Sequence, residues 1–376
     1  MTGAGRNSVD VPRDERKSGK PMSEEDEGER VGGERGGGGG DRKLVGAAFS
    51  AAKVKKMVTP ELKRILELEY NATLAVINPG LPIEDQGHFC VILHKVRGNS
   101  LWKRNLRHYS ENVNPECVIL DELGSIEALE SREVSFLKLF PTGPVEFLRK
   151  EGCTSFTFRA PRQTVVDLKL ERVMAEEEAT KVMQDLPCPQ VAKPLVIDPS
   201  GSHRVYLLRR AKDLLNLQKM ERGGGVVLQE YVNHSGVVMK AYNFGDRGLY
   251  CDPRRSFDDC AANFREGAAL EVTEKESEGP LVLKSVSGEP ERLEKLEVAT
   301  GLEGRELVEI CSRICEHARK ALDLSMFNID LAFSRREDVH LDVYALDVNY
   351  MPGYHKLEGY EAFFGKFLGE LASKEH

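Results

Sequence analysis

Two acidic residues and an amide near the C-terminus have the types and spacing of a phosphate-linked metal site. Asp347 and Asn349 stand two apart in Leu341-Asp342-Val343-Tyr344-Ala345-Leu346-Asp347-Val348-Asn349-Tyr350, and Asp330 sits at the heart of the run Phe327-Asn328-Ile329-Asp330-Leu331-Ala332-Phe333. Both runs read as strands, on which residues two apart share a face. If the strands pair, Asp330 joins Asp347 and Asn349 as a third hard oxygen donor, a set that suits Mg²⁺ with bound phosphates. The plainer reading puts Asp330 and Asp347 at strand ends, where each satisfies nearby backbone groups.

Cations upstream supply the counterpart. Lys193 in Val191-Ala192-Lys193-Pro194-Leu195-Val196 and Lys240 in Val237-Val238-Met239-Lys240-Ala241-Tyr242 are lone charges in apolar strands. Such charges must be paired or face a site. Arg254 and Arg255 follow. The turn Asp198-Pro199-Ser200-Gly201-Ser202-His203 joins two strands and has the make-up of a loop laid over phosphates, although many hairpins look the same and His203 alone reads equally as an exposed loop histidine. The run from Val226 to His234 is a strand that turns polar, and its backbone could meet an adenine edge. Acids that hold Mg²⁺ and cations that hold phosphates suit phosphoryl transfer, which depends on charge neutralisation and positioning more than on covalent chemistry. The sequence has neither a Walker A motif nor a kinase His-Arg-Asp loop, which sets aside the two commonest phosphoryl-transfer folds.

The elements that must position these residues follow from the apolar pattern. Strand-like runs at 44–49, 74–77, 89–93 and 117–120 alternate with helical spacing at 60–70, 101–109 and 122–140. Short, nearly all-apolar strands alternating with helices predict a parallel α/β layer covered on both faces, with functional residues at the C-terminal strand ends. Lys95 falls just after one such strand, and Lys53 soon after the first. A short helix is expected over 144–152 and a longer one over 171–186. Strands at 190–197, 204–208, 226–232 and 237–244, with a helix at 211–220, come in close pairs and predict an antiparallel α+β part. Residues 261–297 are acidic and Gly/Ser-spotted, as in a surface excursion. Helices at 304–322 and 357–371 close the chain, the last with an aromatic stripe that reads as core.

Bulk properties narrow the classes further. The 376 residues suffice for two or three domains, and 40% hydrophobic with 30% charged residues is ordinary for a soluble protein. A net charge of −8 argues against nonspecific binding to nucleic acid or anionic membrane. No run approaches the roughly 18–20 apolar residues of a membrane span, and the N-terminus lacks the apolar core of a secretory signal. The eight cysteines are scattered; Cys311 and Cys315 fit a buried helix face in a reduced, cytoplasmic protein. Residues 1–43 have almost no large apolar side chains, and seven of the nine residues from Gly32 to Gly40 are glycine, which predicts a disordered tail.

In order along the chain, Pro82-Ile83-Glu84-Asp85-Gln86-Gly87 with Val91-Ile92-Leu93-His94-Lys95, Lys193-Pro194-Leu195-Val196 with Ser202-His203, Asn233-His234 with Lys240, and Asp347-Val348-Asn349 through Pro352-Gly353-Tyr354 together resemble the inositol-tetrakisphosphate 1-kinase (inositol 1,3,4-trisphosphate 5/6-kinase) family of ATP-grasp enzymes. The resemblance covers about residues 44–375 and is weakest in the acidic excursion. It implies an ATP-grasp fold of class α/β: a Rossmann-like parallel α/β substrate domain at 44–140, then antiparallel α+β ATP-grasp subdomains at 141–235 and 236–376. It implies transfer of the ATP γ-phosphate to a hydroxyl of an inositol tris- or tetrakisphosphate by a monomer, with one or two Mg²⁺.

Family roles carry over by position. Lys53 and Lys95 match lysines that hold substrate phosphates. Arg132 and Lys193 match residues that reach the nucleotide, Lys193 at its phosphates. Gln229, Glu230, Tyr231 and Val232 match the adenine hinge, and Ser256 a serine of the nucleotide pocket. His203 matches a histidine at the substrate, and Lys240 a lysine near the transferred phosphate that serves both ligands; with Lys193 these form the catalytic set. Asp330, Asp347 and Asn349 match the magnesium ligands, with Asn349 and Gly353 also touching substrate. Two departures stand out: Pro199 stiffens the loop before His203, and Asn328 replaces a glycine ahead of the metal aspartate. The alternatives are an ATP-grasp carboxylate–amine ligase, which has less need of Lys53 and Lys95, and a catalytically silent binding protein, which has no need of an intact Asp330, Asp347 and Asn349.

Overall fold

A layer of parallel strands opens the fold. The computed structural model describes residues 42–96, 98–150, 153–168, 174–195, 205–221, 224–246, 248–256, 281–283, 290–335 and 340–374. The tail expected over 1–43 lies outside them except for Arg42 and Lys43, and Lys43 already begins the first strand. Strands β1 (Lys43–Ala48), β2 (Ala72–Val76), β3 (Phe89–His94) and β4 (Val118–Leu120) form a sheet of order β2-β1-β3-β4, parallel throughout. Val45, Ala47, Ala48, Val91, Ile92 and Leu93 are fully or almost fully buried, as the continuous apolar runs require of a sheet covered on both faces. The helix Pro60–Tyr70 covers one face. Thr59 caps it, its Oγ1 accepting from Leu62 N at 3.1 Å, with proline in the first turn. The C-terminal helix Tyr360–Ser373 packs on it at Gly365 and Gly369; a Cβ at Gly369 would come within 2.1 Å of the Tyr70 ring, so only glycine allows this approach.

Two further sheets carry the rest of the chain. One has five strands, all pairs antiparallel: β13 (Leu281–Leu283), β9 (Val205–Leu208), β8 (Gln190–Pro194), β10 (Gly225–Glu230) and β7 (Gln163–Asp167) in spatial order. Ala192, Tyr206, Val226 and Leu228 bury one face against the helices Glu176–Gln184 and Ala211–Met220. The other has six: β12 (Gly248–Arg255), β11 (Val237–Phe244), β14 (Met326–Arg335), β15 (Leu341–Tyr350), β6 (Phe156–Arg159) and β5 (Val145–Phe147). Its pairs are antiparallel except β15–β6, which is parallel. The amphipathic helix Gly304–Leu322 buries Leu307, Ile310, Cys311, Ile314, Cys315 and Ala318 in the core that also holds Met239, Ala241, Ile329 and Leu331.

Several expectations are corrected. The helix expected over 144–152 is strand β5: Phe147 stacks on Phe156 at 4.6 Å, and Arg313 lies over both rings. Cross-strand packing settles a stretch too short for periodicity to decide. The helix over 171–186 is Glu176–Gln184, its first expected residues lying outside the described ones. The stretch 122–140 is two helices, Leu123–Ala128 and Arg132–Leu139, the second restarted by Ser131, whose Oγ accepts from Val134 N. The last helix begins at Tyr360 rather than 357, after a 3₁₀ turn at Tyr354–Lys356. The apolar pattern does not mark strands β6, β7 and β12; β12 contains Pro253 and is an edge strand, where proline's missing N–H does no harm. Parts of the excursion are structured, since 281–283 form edge strand β13 and the helix Leu293–Thr300 buries Leu296. Strand order also crosses the sequence blocks: β5 and β6, from the 141–235 block, complete the sheet of β14 and β15, while β13 joins the five-stranded one. Among the described residues, no helix is long and apolar enough to cross a membrane.

Candidate active site

The register of the six-stranded sheet sets two polar rows side by side. Lys240, Asp330 and Asp347 are direct partners across β11, β14 and β15, and Tyr242, Asn328 and Asn349 are the partners in the next row. Residues two apart along each strand put both rows on one face, the face opposite the Gly304–Leu322 helix. Lys240 Nζ lies 2.6 Å from Asp330 Oδ2, and Asn328 Nδ2 donates to Asp330 Oδ1 at 2.7 Å. Asn349 Nδ2 donates to Asp347 Oδ2 at 3.3 Å. Asp330 is 5% exposed. Both aspartates lie within their strands, so the strand-end reading fails. Asn328, a departure from the family pattern, fixes the carboxylate of Asp330.

A β-bulge shapes the centre of the site. Asp330 faces Asp347 but Leu331 faces Ala345, leaving Leu346 as the extra residue on β15. The Leu346 carbonyl accepts from Lys193 Nζ at 2.7 Å, which links the five-stranded sheet to β15. Burial pushes the Lys193 ammonium down to about 8; the charge of Asp347 opposes this and that of Arg132 adds to it. Arg132, first residue of its helix, donates from Nη1 to Pro194 O at 2.7 Å. Its Nε lies 3.6 Å from Asp347 Oδ1 and makes no hydrogen bond among the described residues.

A cleft of about 320 Å³ lies between these two sheets. Lys95, Arg132, Lys193, Lys240, Ser256 and Gly353 line it, as do Gln229 to Val232 and the trio Asp330, Asp347 and Asn349. At the hinge, Glu230 N donates to Arg162 O, and the Gln229 amide donates to Gln163 Oε1 at 2.8 Å. His234 ties the hinge to Ser256: its ring nitrogens lie 2.6 Å from Val232 O and 2.7 Å from Ser256 Oγ. Since a carbonyl only accepts, Nδ1 carries a proton towards Val232 O.

The parallel layer supplies the other end. Lys53, on the helix Ala51–Met57, and Lys95, after β3, converge on the chain leaving β15. Lys53 Nζ donates to Met351 O at 2.5 Å, and Lys95 Nζ donates to Tyr350 O at 2.7 Å and to Met351 O at 3.1 Å. His203 and its loop lie outside the described residues. Arg254 and Arg255 do not join the phosphate cations: Arg254 pairs with Asp252 and Arg255 with Glu291, and neither lines the cleft. His234 of the Asn233-His234 motif lines it, as do Tyr242, Val191 and Lys356, to which the sequence alone assigns no role. Tyr242 and Val191 stand two residues from Lys240 and Lys193, so they share those lysines' faces.

The donor set fits magnesium. Asp330, Asp347 and Asn349 present carboxylate and amide oxygens, each Asp330 oxygen using one lone pair on Lys240 or Asn328 and keeping another. No cluster of three or more His, Cys, Asp or Glu suited to a metal occurs among the described residues, so the softer ligand sets of zinc are missing from them.

A parallel α/β layer followed by two sheets that close on a cleft is the ATP-grasp architecture. The D-alanine–D-alanine ligase of Bacillus anthracis shares it, with a TM-score of 0.51 at 14% identity over 88% of this chain and 96% of the ligase. Residues 154–370 match the model of the inositol 1,3,4-trisphosphate 5/6-kinase ATP-grasp domain, and residues 44–126 that of the same family's pre-ATP-grasp domain. Inositol-tetrakisphosphate 1-kinase 3 of Oryza sativa subsp. indica is 32% identical over 89% of this chain and 84% of its own. Inositol-tetrakisphosphate 1-kinase 2 of Glycine max is 31% identical over 88% and 96%. The chain belongs to the inositol 1,3,4-trisphosphate 5/6-kinase family and is an inositol phosphate kinase.

Proposed function

We propose that this chain transfers the γ-phosphate of ATP to a ring hydroxyl of an inositol tris- or tetrakisphosphate. The observation that carries the reading is the cross-strand row Lys240–Asp330–Asp347, with Lys193 above it and Lys53 and Lys95 at its open end. Lys193, Arg132 and Lys240 hold the nucleotide phosphates, with the hinge from Gln229 to Val232 and Ser256 around the base. Lys53, Lys95, Asn349 and Gly353 hold the inositol phosphate, and His203 joins them by its place in the family motif. Asp330, Asp347 and Asn349 hold one or two Mg²⁺, which when bound neutralise phosphate charge. No side chain is required as a base if the transition state is loose; the residues hold the hydroxyl in line with the γ-phosphorus and offset the negative charge of both reactants. The chain works as a cytoplasmic monomer.

Incubating the protein with Mg-ATP and a panel of inositol tris- and tetrakisphosphates, while following ADP and phosphorylated product, tests the assignment. Turnover of at least one inositol phosphate is expected. Turnover of an amino acid or peptide with every inositol phosphate inert would overturn it.

A further inference from the structure

We infer that His355, Lys356 and Lys56 form a second anion subsite at the mouth of the cleft, taking a non-reacting ring phosphate of the inositol polyphosphate; this rests on the kinase reading above.

Beyond Tyr350 the chain turns through Met351 and Gly353 into the 3₁₀ turn Tyr354–Lys356, which packs on the helix Ala51–Met57. Both tyrosines anchor it. Tyr350 OH lies 2.7 Å from Leu120 O, and the buried Tyr354 donates from its hydroxyl to Asn243 O at 2.9 Å. A turn held at both ends presents its side chains in a fixed geometry. Those side chains are His355 and Lys356, and they close over Gly353, where an added Cβ would lie 3.1 Å from His355 Cε1 and 3.5 Å from Lys356 Cε. Gly353 and Lys356 both line the cleft.

Two observations point to an anion. First, His355 Nδ1 is buried and has no hydrogen-bond partner among the described residues, a state that costs free energy unless a ligand satisfies it. Second, positive charge gathers there, and among the described residues no carboxylate acts on His355. Burial, and then Lys56, Lys356 and Lys53, all hold His355 below its usual range. Lys56 and Lys356 are exposed and make no ion pair among the described residues. At the nucleotide end, by contrast, Lys240 and Arg132 sit against Asp330 and Asp347. A phosphomonoester carries about −1.5 to −2 charges and several acceptor oxygens, which suits two ammonium groups and a ring N–H. A polyphosphorylated ring held through Lys53 and Lys95 lies beside this cluster.

Calorimetric titration with inositol 3,4,5,6-tetrakisphosphate, alongside steady-state kinetics, tests this on the full chain. The variants are His355→Gln and the double variant Lys56→Met/Lys356→Met, whose exposed lysines can be replaced without disturbing the fold. Loss of a charge-assisted contact is expected to weaken binding about ten-fold in His355→Gln and about a hundred-fold in the double variant. KM for ATP should stay within about two-fold of wild type, as the cluster lies away from the nucleotide residues. Wild-type turnover with unchanged binding in both variants overturns the subsite and leaves the kinase reading standing. Binding without turnover, weakened in the variants, supports the subsite and overturns the kinase reading.

Discussion

Lys240 and Asp330 face each other on adjacent strands, Nζ 2.6 Å from Oδ2, with 11% and 7% of their side chains exposed. An ion pair this sheltered makes each partner costly to remove alone. Lys240→Met strands a buried carboxylate and is expected to destabilise the fold by about 3–5 kcal/mol. The double variant Lys240→Met/Asp330→Asn should regain much of that loss in urea unfolding while staying inactive, because it lacks both the proposed phosphate cation and a proposed metal ligand. Activity in the double variant near that of wild type would mean that the pair is structural only.

Asp347 takes part in less of the fold. It is 24% exposed at its side chain and, among the described residues, receives only the 3.3 Å bond from Asn349 and the approach of Arg132. Asp347→Asn keeps the shape and removes the charge, so unfolding midpoints should shift little. Turnover is expected to fall at least about 100-fold, as for other losses of charge stabilisation at a transferring group, with a higher magnesium concentration needed for half-maximal rate. Wild-type turnover would remove Asp347 from the metal site.

The clearest signals in the sequence were those with a strict local period. The two-residue spacing of Asp347 and Asn349 and the lone lysines in apolar strands required a polar face, and β11, β14 and β15 supply it. The helix Gly304–Leu322 carries the same kind of local period, and the parallel first sheet follows from nearly all-apolar runs alternating with helices. What remained hidden depends on partners distant in sequence. No local pattern shows that β5 stacks Phe147 on Phe156 or that Leu346 is a bulge residue offering its carbonyl to Lys193. His355 and Lys356 follow the glycine of a known motif, and only the fold brings them beside Lys56.

Lys193 gives the site a pH dependence. Burial lowers its pKa to about 8, so the free enzyme loses this charge, proposed to hold the ATP phosphates, as pH rises through that value. The kcat/KM for ATP reports groups of the free enzyme and should fall above pH of about 8. Lys193→Arg keeps its charge at all accessible pH; its rate should be lower, because a planar guanidinium does not fit the ammonium's place at Leu346 O, but the alkaline fall should vanish. An unchanged alkaline limb in that variant would assign the titration to another group.

His94 and Asp121 set opposing slopes on stability. Burial holds the His94 ring down to about 4, with a ring nitrogen 2.8 Å from Asp121 O, and pushes the Asp121 carboxyl up to about 6 against its backbone donors Met326 and Ser325. Below pH 6.5 the unfolded chain protonates His94 while the folded one does not, so this group's stability contribution is lost as pH falls toward 4. Asp121 runs the other way: the folded state holds its proton more tightly, so its contribution is present at low pH and lost as pH rises through 6. Each amounts to about 3 kcal/mol, and between pH 4 and 6 they nearly cancel. His94→Gln removes one slope. Relative to wild type, its urea midpoint should therefore rise as pH drops from 6 to 4.5, and parallel pH profiles would show that His94 does not set this slope.

Tyr350 joins the two ends of the active site through one hydroxyl. It accepts from Asp121 N at 2.8 Å and lies 2.7 Å from Leu120 O and 2.9 Å from His94 O, all at the C-terminal ends of β3 and β4. Its own carbonyl and that of Met351 accept from Lys95, and Met351 O also receives Lys53. Tyr350→Phe keeps the ring but leaves a buried N–H and a carbonyl short of partners, at a cost of about 1–3 kcal/mol. With the end of β15 loosened from the parallel sheet, Lys53 and Lys95, proposed to hold the inositol phosphate, lose their fixed distance to Asn349, while Lys193 and Lys240 keep theirs. The expected signature is a rise of about ten-fold in KM for the inositol phosphate with KM for ATP near that of wild type. A loss of stability with both KM values unchanged would show that the tyrosine serves the fold alone.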